Sequence, residues 1–378
     1  MRSRVAPFIA MDVMRTAGER EAAGARIVHM EVGQPGAAVP KAVREAAAAA
    51  LADGRFGYTD ALGRLDLRRR IARHYAEVYG VDVPATRIAI TTGSSAAFNL
   101  AFLAAFDAGE RVALASPGYP AYRNILSALG LEAVEIETEE RHRHALVPEQ
   151  LREAHGKRSL AGVLVASPAN PTGTLMSPAA LAALATAADD LGIRFISDEI
   201  YHGLVYAGRA ETALASSPEA IAINSFSKYY CMTGWRVGWM VLPESLVRPV
   251  ERLAQNLYIS PPDISQRAAL AAFDAVPELE LTKSLYAQNR TRLLAELPRL
   301  GFDPIFPVDG AFYAYASTAR LAEDSSEFAS RMLSEAGVAA TPGVDFDQRD
   351  GRHWMRFSFA GSVADVAEGM ERLRAWLR

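Results

Sequence analysis

The sequence predicts an α/β fold whose large domain contains a mainly parallel sheet covered by helices on both faces. Short apolar runs alternate with helical stretches through the middle of the chain, which is typical of such a sheet. The runs are continuously apolar, as expected for strands buried on both faces. Beyond residue 275 the pattern changes to a long helix, two short strands and a closing helix. We therefore expect a second, smaller α+β domain that is built from both chain ends.

The N-terminal part predicts an amphipathic segment, one strand and two helices. Residues 8–17 are amphipathic, and IVHMEVGQP favours a short strand that ends at Gly33. Residues 42–54 are rich in alanine and predict a helix closed by Gly54, and another helix is expected over 65–79. We expect residues 1–40 to form an N-terminal arm and part of the small domain. Residues 41–276 would then form the large domain and residues 277–378 the small C-terminal domain.

The central region supplies the strands of the predicted sheet. They are RIAITTG, RVALASP, LEAVEIET, GVLVASP, IRFISDE and AIAINSF. Helical stretches separate most of them, and in SPAALAALATAADDLG we expect Ser177 as the N-cap with Pro178 at the first helical position. Functional groups of such a sheet gather at the carboxyl ends of its strands. Residues that follow these runs are therefore the candidates for chemistry.

Composition excludes several classes of function. The chain has 378 residues, is 50% hydrophobic and carries a net charge of −4, which does not favour a nucleic-acid or membrane-surface protein. The one cysteine, Cys231, excludes an internal disulfide. The N-terminus is a poor signal peptide, and no apolar run approaches the ~20 residues of a membrane span. We expect a cytoplasmic protein without a metal site.

The stretch SFSKYYCMTGWRVGW, residues 225–239, combines the groups that pyridoxal phosphate chemistry requires. The amine of Lys228 can condense with a carbonyl, and desolvation beside another cation lowers the pKa of such an amine. Arg236 and the serines before the lysine offer donors for a dianion. The stretch resembles the pyridoxal-lysine signature of the class I/II aminotransferases, which have fold type I and belong to the aspartate aminotransferase superfamily. The resemblance implies pyridoxal 5′-phosphate as the cofactor.

The resemblance extends in family order along nearly the whole chain and implies contacts to the cofactor ring. Asn170, in NPTG, would hydrogen-bond the ring hydroxyl oxygen O3′, and Tyr201, in DEIY, would donate to the same oxygen. Asp198 ends an apolar strand, where an unpaired carboxylate is costly. Beside the pyridinium nitrogen it would keep the ring protonated. Tyr119, in SPGYPAY, matches the aromatic residue that packs against the cofactor face.

A phosphate site is expected where a strand, a glycine and a helix start meet in ITTGSSAAF. Free N–H groups and the helix dipole favour an anion there. The residues assigned to the phosphate are Gly93, Ser94, Ser95, Ser225, Ser227 and Arg236. Tyr58, in GYTDALG, resembles the family's tyrosine that reaches the phosphate of the neighbouring subunit. The resemblance therefore implies a homodimer with shared active sites.

A substrate carboxylate site is expected around Arg356. This arginine lies mid-strand in WMRFSFA, where an unpaired cation is costly, and its planar fork suits bidentate capture of a carboxylate. The resemblance implies that Arg356 binds the α-carboxylate, with the backbone of Gly33 and the side chain of Asn170 beside it.

By this resemblance the chain is expected to be an aminotransferase that moves an amino group between an L-amino acid and a 2-oxo acid by a ping-pong mechanism. Lys228 would be the catalytic acid–base group, and Asp198 and Tyr201 would assist it. The residues expected at the pocket mouth, Phe8, Ile9, Tyr119 and Tyr258, are apolar or aromatic, and no second cation for a dicarboxylate is found. This favours a neutral or aromatic amino acid, with 2-oxoglutarate or pyruvate as acceptor.

Two alternatives remain open. The same residues serve C–S β-lyases, cyclopropane-forming synthases and decarboxylases, because those enzymes share the formation of a carbanion at Cα. A pyridoxal-phosphate-binding regulatory module is a more remote alternative. Such modules carry an additional N-terminal DNA-binding domain, and this chain begins directly in the aminotransferase pattern.

Overall fold

The computed structural model describes residues 5–378, and its strands form three sheets. The strands are β1 Val28–His29, β2 Ile88–Thr91, β3 Arg111–Ser116, β4 Glu132–Glu137, β5 Gly162–Ala166, β6 Arg194–Asp198, β7 Ile221–Ser225, β8 Gly238–Val241, β9 Tyr313–Ser317, β10 Val338–Ala339, β11 Thr341–Pro342 and β12 Trp354–Ser358. The large sheet has seven strands in the order β2-β8-β7-β6-β5-β3-β4. Only the pairs that involve β8 are antiparallel. The predicted fold class is confirmed.

The helices are α1 Ile9–Ala22, α2 Lys41–Asp53, α3 Leu65–Tyr79, α4 Ser94–Ala105, α5 Pro120–Leu129, α6 Pro148–Lys157, α7 Pro178–Asp190, α8 Glu244–Leu257, α9 Asp263–Ala272, α10 Val276–Glu296, α11 Ser325–Arg331 and α12 Val363–Trp376. Helices α3, α6, α7 and α9 pack on one face of the large sheet. Helices α4, α5 and α8 pack on the other. The sheet is therefore buried on both sides, which explains its continuously apolar strands.

Strand β8 is the one strand of the large sheet that the sequence did not predict. It lies in a segment broken by Gly234, Arg236 and Gly238, so no long apolar run marks it. It lies between β2 and β7 and runs antiparallel to both neighbours. As a result, the loop from Lys228 to Arg236 leaves β7 at the carboxyl edge of the sheet and returns to that edge at β8.

Helix boundaries follow their local signals. Helix α3 spans the predicted residues, and α7 begins as predicted, with the Ser177 hydroxyl accepting from the backbone N–H of Ala180 at 3.2 Å. Helix α10 begins at Val276, five residues before the predicted start at Leu281, because Pro277 fits its first turn.

The C-terminal part contains a three-stranded antiparallel sheet in the order β11-β12-β9. Strand β1 pairs with β10 in parallel, so residues from both chain ends are joined there. A separate core encloses this region and includes Val28, Met30, Tyr286 and Phe357. The domain boundaries at 40/41 and 276/277 remain a prediction. Between residues 5 and 378, no helix is long and apolar enough to cross a membrane.

Candidate active site

A cavity of about 430 Å³ lies at the carboxyl edge of the large sheet. It opens where Asp198 ends β6 and where Lys228 follows β7. Most residues singled out from the sequence line it, namely Gly33, Ser94, Ser95, Tyr119, Asn170, Asp198, Tyr201, Ser227, Lys228, Arg236 and Arg356. The lining does not include Gly93, Ser225 or Tyr58, nor Ile9 and Tyr258, which were expected at the mouth. The strand order therefore gathers groups that are far apart in the sequence.

Lys228 carries the amine of the cavity. Its Nζ donates a hydrogen bond to the backbone carbonyl of Gly33. Burial, together with the positive charges of Arg356 and Arg236, outweighs the opposing charge of Asp198 and lowers the pKa of Lys228 to about 8. A substantial fraction of this amine is therefore neutral, and able to attack a carbonyl, near physiological pH.

Asp198 is the carboxylate of the cavity, and it is held by two donors. Its Oδ1 accepts from the backbone N–H of Ile200 at 3.1 Å, and its Oδ2 accepts from the hydroxyl of Tyr122. Burial outweighs these hydrogen bonds and the charge of Lys228, which act in the opposite direction, and raises the pKa of Asp198 to about 6. Both of these donors are neutral, so a cationic N–H placed in the cavity would give this carboxylate a partner of opposite charge.

Tyr122 is a site residue that sequence reasoning missed. It lies in the first turn of α5 and is 6% exposed. In the sequence it is one aromatic residue of an amphipathic helix, where packing is the ordinary role. The available signal was its spacing, three residues after Tyr119, which places both side chains on the same face of the helix start.

Tyr201 and Tyr313 form a second pair of hydroxyls. Their oxygens are 2.8 Å apart in the buried interior of the cavity wall. Burial raises the pKa of Tyr201 well above its ordinary value, so this hydroxyl keeps its proton and can act as a donor. Tyr313 was not predicted from the sequence.

Arg356 is a buried cation whose hydrogen-bond partners are all neutral. It is 1% exposed, and its Nη1 donates to Asn170 Oδ1 at 3.0 Å. Its Nη2 donates to the backbone carbonyl of Glu31 at 2.5 Å and to Thr341 Oγ1 at 3.4 Å. Its Nε has no partner in the part of the chain that the structure describes. A buried guanidinium without a counter-charge is prepared to bind an anion.

Another part of the cavity, around Arg236, has the features of a phosphate site. Gly93 caps α4 with a φ of 77°, and a Cβ at this glycine would lie 2.9 Å from Cζ of Arg236. The close approach requires glycine and brings the guanidinium to the helix N-terminus. Ser94 and Ser95, in the first turn of α4, face the same space. The arrangement concentrates positive charge and N–H donors at one point.

Two of the predicted phosphate ligands are placed differently. Ser225 is 1% exposed, and its hydroxyl lies 2.9 Å from Ser227 Oγ and 3.1 Å from the carbonyl of Val237. It therefore holds the turn before Lys228 and does not line the cavity, whereas Ser227 does. Tyr58 is 83% exposed and lies outside the cavity of its own chain.

The residues present fit pyridoxal phosphate. An anion site and a carboxylate stand at different points of one cavity, an amine of lowered pKa lies with them, and Tyr119 offers an aromatic face. The ring nitrogen would meet Asp198, and the phosphate would meet Arg236 and the start of α4. The guanidinium of Arg356, which has no counter-charge among its hydrogen-bond partners, could bind one further carboxylate.

Comparison with known proteins gives a consistent result. The family model for aminotransferase class I and II matches residues 25–373. A valine–pyruvate aminotransferase from Mycobacterium tuberculosis is 49% identical over 381 aligned residues, which cover 100% of this chain and 98% of that protein.

Solved structures agree with the sequence matches. A crystal structure of an aminotransferase from Mycobacterium tuberculosis has a TM-score of 0.97 at 48% identity, covering 100% of this chain and 98% of that one. Thermus thermophilus aspartate aminotransferase, solved with maleate, has a TM-score of 0.93 at 31% identity, with the same two coverages.

Proposed function

The chain belongs to the class I and II aminotransferases, and we propose that it moves an amino group between a neutral L-amino acid and pyruvate. It is a pyridoxal-phosphate-dependent enzyme, and the family supports a ping-pong exchange between an amino acid and a 2-oxo acid. The observation that carries the proposal is the single cavity that is lined by Lys228, by Asp198 and by Arg356, whose hydrogen-bond partners are all neutral.

We assign a distinct task to each of these side chains. When bound, the cofactor ring accepts the electron pair that the Cα–H bond of the amino acid releases. The Nζ of Lys228 takes the Cα proton as a base and would then deliver it, as an acid, to the C4′ carbon of the bound cofactor. Asp198 holds a proton on the ring nitrogen, and Arg356 orients the amino acid by its carboxylate.

The charges of the cavity support a neutral side chain on the substrate. Of the described residues that line it, three are cationic, namely Lys228, Arg236 and Arg356. The proposed roles assign these to the amine, the phosphate and the α-carboxylate, which leaves no cation for a second carboxylate. Phe8, Met11 and Met14 contribute an apolar wall. The name of the M. tuberculosis relative, a valine–pyruvate aminotransferase, points to the same class of donor.

A homodimer with shared sites forms part of this proposal. Tyr58 is exposed next to Phe56, which is 45% exposed, and Ile259, at 52%, is a further exposed apolar side chain of the large domain. A second copy of the chain would bury such groups and carry Tyr58 to the partner's phosphate site. Mixing a Lys228→Ala chain with a Tyr58→Ala chain tests the idea. If sites are shared, subunit exchange restores activity, because one site of the mixed dimer then has both groups.

A half-reaction screen tests the activity and names the donor. Purified holoenzyme is mixed with one amino acid at a time, without an oxo acid, while the absorbance spectrum is followed. We expect valine or another neutral amino acid to convert the cofactor to its amine form and release one oxo acid per site. Aspartate should react far more slowly. Steady release of ammonia, pyruvate or a thiol without that conversion would identify a lyase and refute transamination.

A further inference from the structure

Tyr313 contacts both functional ends of the cavity. Its hydroxyl oxygen lies 2.8 Å from that of Tyr201, and its ring centroid lies 4.3 Å from Cζ of Arg356. A Cβ on Gly33 would overlap the Tyr313 hydroxyl, so the glycine backbone packs directly against it. Phe346 covers the guanidinium as well, with its centroid 4.6 Å from Cζ. Tyr313 is thus the side chain that touches both the carboxylate-binding arginine and the tyrosine beside the cofactor.

The direction of the tyrosine–tyrosine hydrogen bond follows from proton counting. A phenol has one proton to donate and lone pairs that accept. When Tyr201 donates to the cofactor oxygen O3′, as proposed, its own oxygen is left to accept. Tyr313 is the hydroxyl within reach, so Tyr313 donates to Tyr201. Accepting this bond polarises Tyr201 and makes it a stronger donor, because linked hydrogen bonds reinforce one another.

We infer that Tyr313 is a positioning residue that strengthens the Tyr201 donor and at the same time holds the guanidinium of Arg356 through its ring. The inference rests on the proposed function for the assignments of Tyr201 and Arg356. It concerns the hydroxyl above all, since phenylalanine would fill the same space and cover Arg356 equally well.

A second tyrosine of the same strand provides the contrast. Tyr315 is also 1% exposed in β9, and its ring stacks on Trp354 with centroids 5.3 Å apart. Its hydroxyl lies 3.5 Å from the carbonyl of Gly343, and it does not line the cavity. Burial in β9 therefore does not by itself direct a tyrosine hydroxyl to the cofactor. The same Tyr→Phe change at 315 serves as the matched control.

The experiment is a spectroscopic pH titration of holoenzyme carrying Tyr313→Phe. With pyridoxal phosphate bound to Lys228, a negative charge on O3′ would be stabilised both by a proton on Nζ of Lys228 and by a hydrogen bond from the Tyr201 hydroxyl. A weaker hydrogen bond from Tyr201 to O3′ makes the proton on Nζ of Lys228 harder to remove. The pH midpoint of the change in the cofactor's visible absorbance should therefore rise by about 0.3–0.7 units. We expect kcat to fall about threefold and KM for the amino acid to stay within twofold, because the ring still covers Arg356.

A double-mutant cycle with Tyr201→Phe makes the test specific. If Tyr313 acts through Tyr201, adding Tyr313→Phe to Tyr201→Phe should not move the midpoint further. Tyr315→Phe should leave the midpoint at the wild-type value. An unchanged midpoint in Tyr313→Phe, or shifts that simply add in the double variant, would overturn the inference.

These outcomes are separable from failure of the proposed function. If the wild-type enzyme transaminates while Tyr313→Phe titrates like wild type, only the coupling through Tyr313 is wrong. If the wild-type holoenzyme does not transaminate, the proposed reaction is wrong, and the midpoint shift still reports on the Tyr313–Tyr201 pair.

Discussion

The two ends of the cavity are built from different parts of the chain. At the ring end, Asp198 ends β6, Tyr122 lies in α5 and Lys228 follows β7, so every group is fixed to the large sheet or a helix packed on it. At the carboxylate end, Arg356 belongs to β12 and is held by Glu31 and other residues remote in sequence. One end is assembled by the sheet and the other by the meeting of both chain ends.

The ends also differ in electrostatics. Burial raises the pKa of Asp198 to about 6 and lowers that of Lys228 to about 8, so both groups titrate close to neutral pH. The guanidinium of Arg356 is held by neutral acceptors and two aromatic faces. The difference suggests a division of labour: proton transfer belongs to the ring end and recognition to the carboxylate end. Substitutions at the two ends should therefore change different kinetic constants.

The largest expected effect is at Asp198. Asp198→Asn removes the negative charge that we propose faces the ring nitrogen, and we expect kcat to fall on the order of 10²–10³-fold with some cofactor still bound. Glu199→Gln is the matched control, because this neighbouring buried carboxylate is instead bonded to Thr212 and to the backbone N–H of Ala213. Steady-state kinetics should show kcat of Glu199→Gln within about threefold of wild type. Equal losses in both variants would contradict a special role for Asp198.

The ring end could be predicted from the sequence because its chemistry follows the strand pattern. Asn170, Asp198 and Lys228 each follow a continuous apolar run, and parallel strands bring such positions to one edge. Tyr122 was not predicted as a site residue, because a tyrosine in an amphipathic helix ordinarily has a packing role. Ser225 was assigned to the phosphate from its closeness to Lys228 in sequence, but its hydroxyl holds the turn.

The carboxylate end was predictable only at its charged residue. Arg356 could be identified because it is a cation within an apolar strand, whereas its hydrogen-bond partners have no comparable feature in the sequence. The backbone carbonyl of Glu31, the hydroxyl of Thr341 and the ring of Phe346 have no local pattern that connects them to residue 356. Their positions depend on the pairing of β11 with β12 and on how β1 meets β10. Contacts of that kind need the tertiary structure.

The next effect in size is the pH dependence of cofactor uptake by Lys228. Its amine must be neutral to attack the aldehyde, so uptake should quicken as pH rises through a pKa of about 8. Between pH 6.5 and 9 the neutral fraction increases about thirtyfold and then levels off, whereas a lysine of ordinary pKa would gain about three-hundredfold without a plateau. Stopped-flow absorbance of apoenzyme mixed with pyridoxal phosphate measures this. A rate still climbing tenfold per pH unit at pH 9 would contradict the lowered pKa.

The smallest expected effect is at the carboxylate end and concerns binding. Arg356→Lys keeps the positive charge, and so keeps the pH profile of Lys228, but it loses the planar fork that can hold both carboxylate oxygens. We expect KM for the amino acid to rise about tenfold, the cost of one charge-assisted hydrogen bond, with kcat within about threefold. Arg352→Lys, an exposed arginine just before β12, is the control and should leave both constants unchanged. If Arg356→Lys instead lowered kcat at constant KM, the carboxylate end would take part in the chemical step and the division of labour would fail.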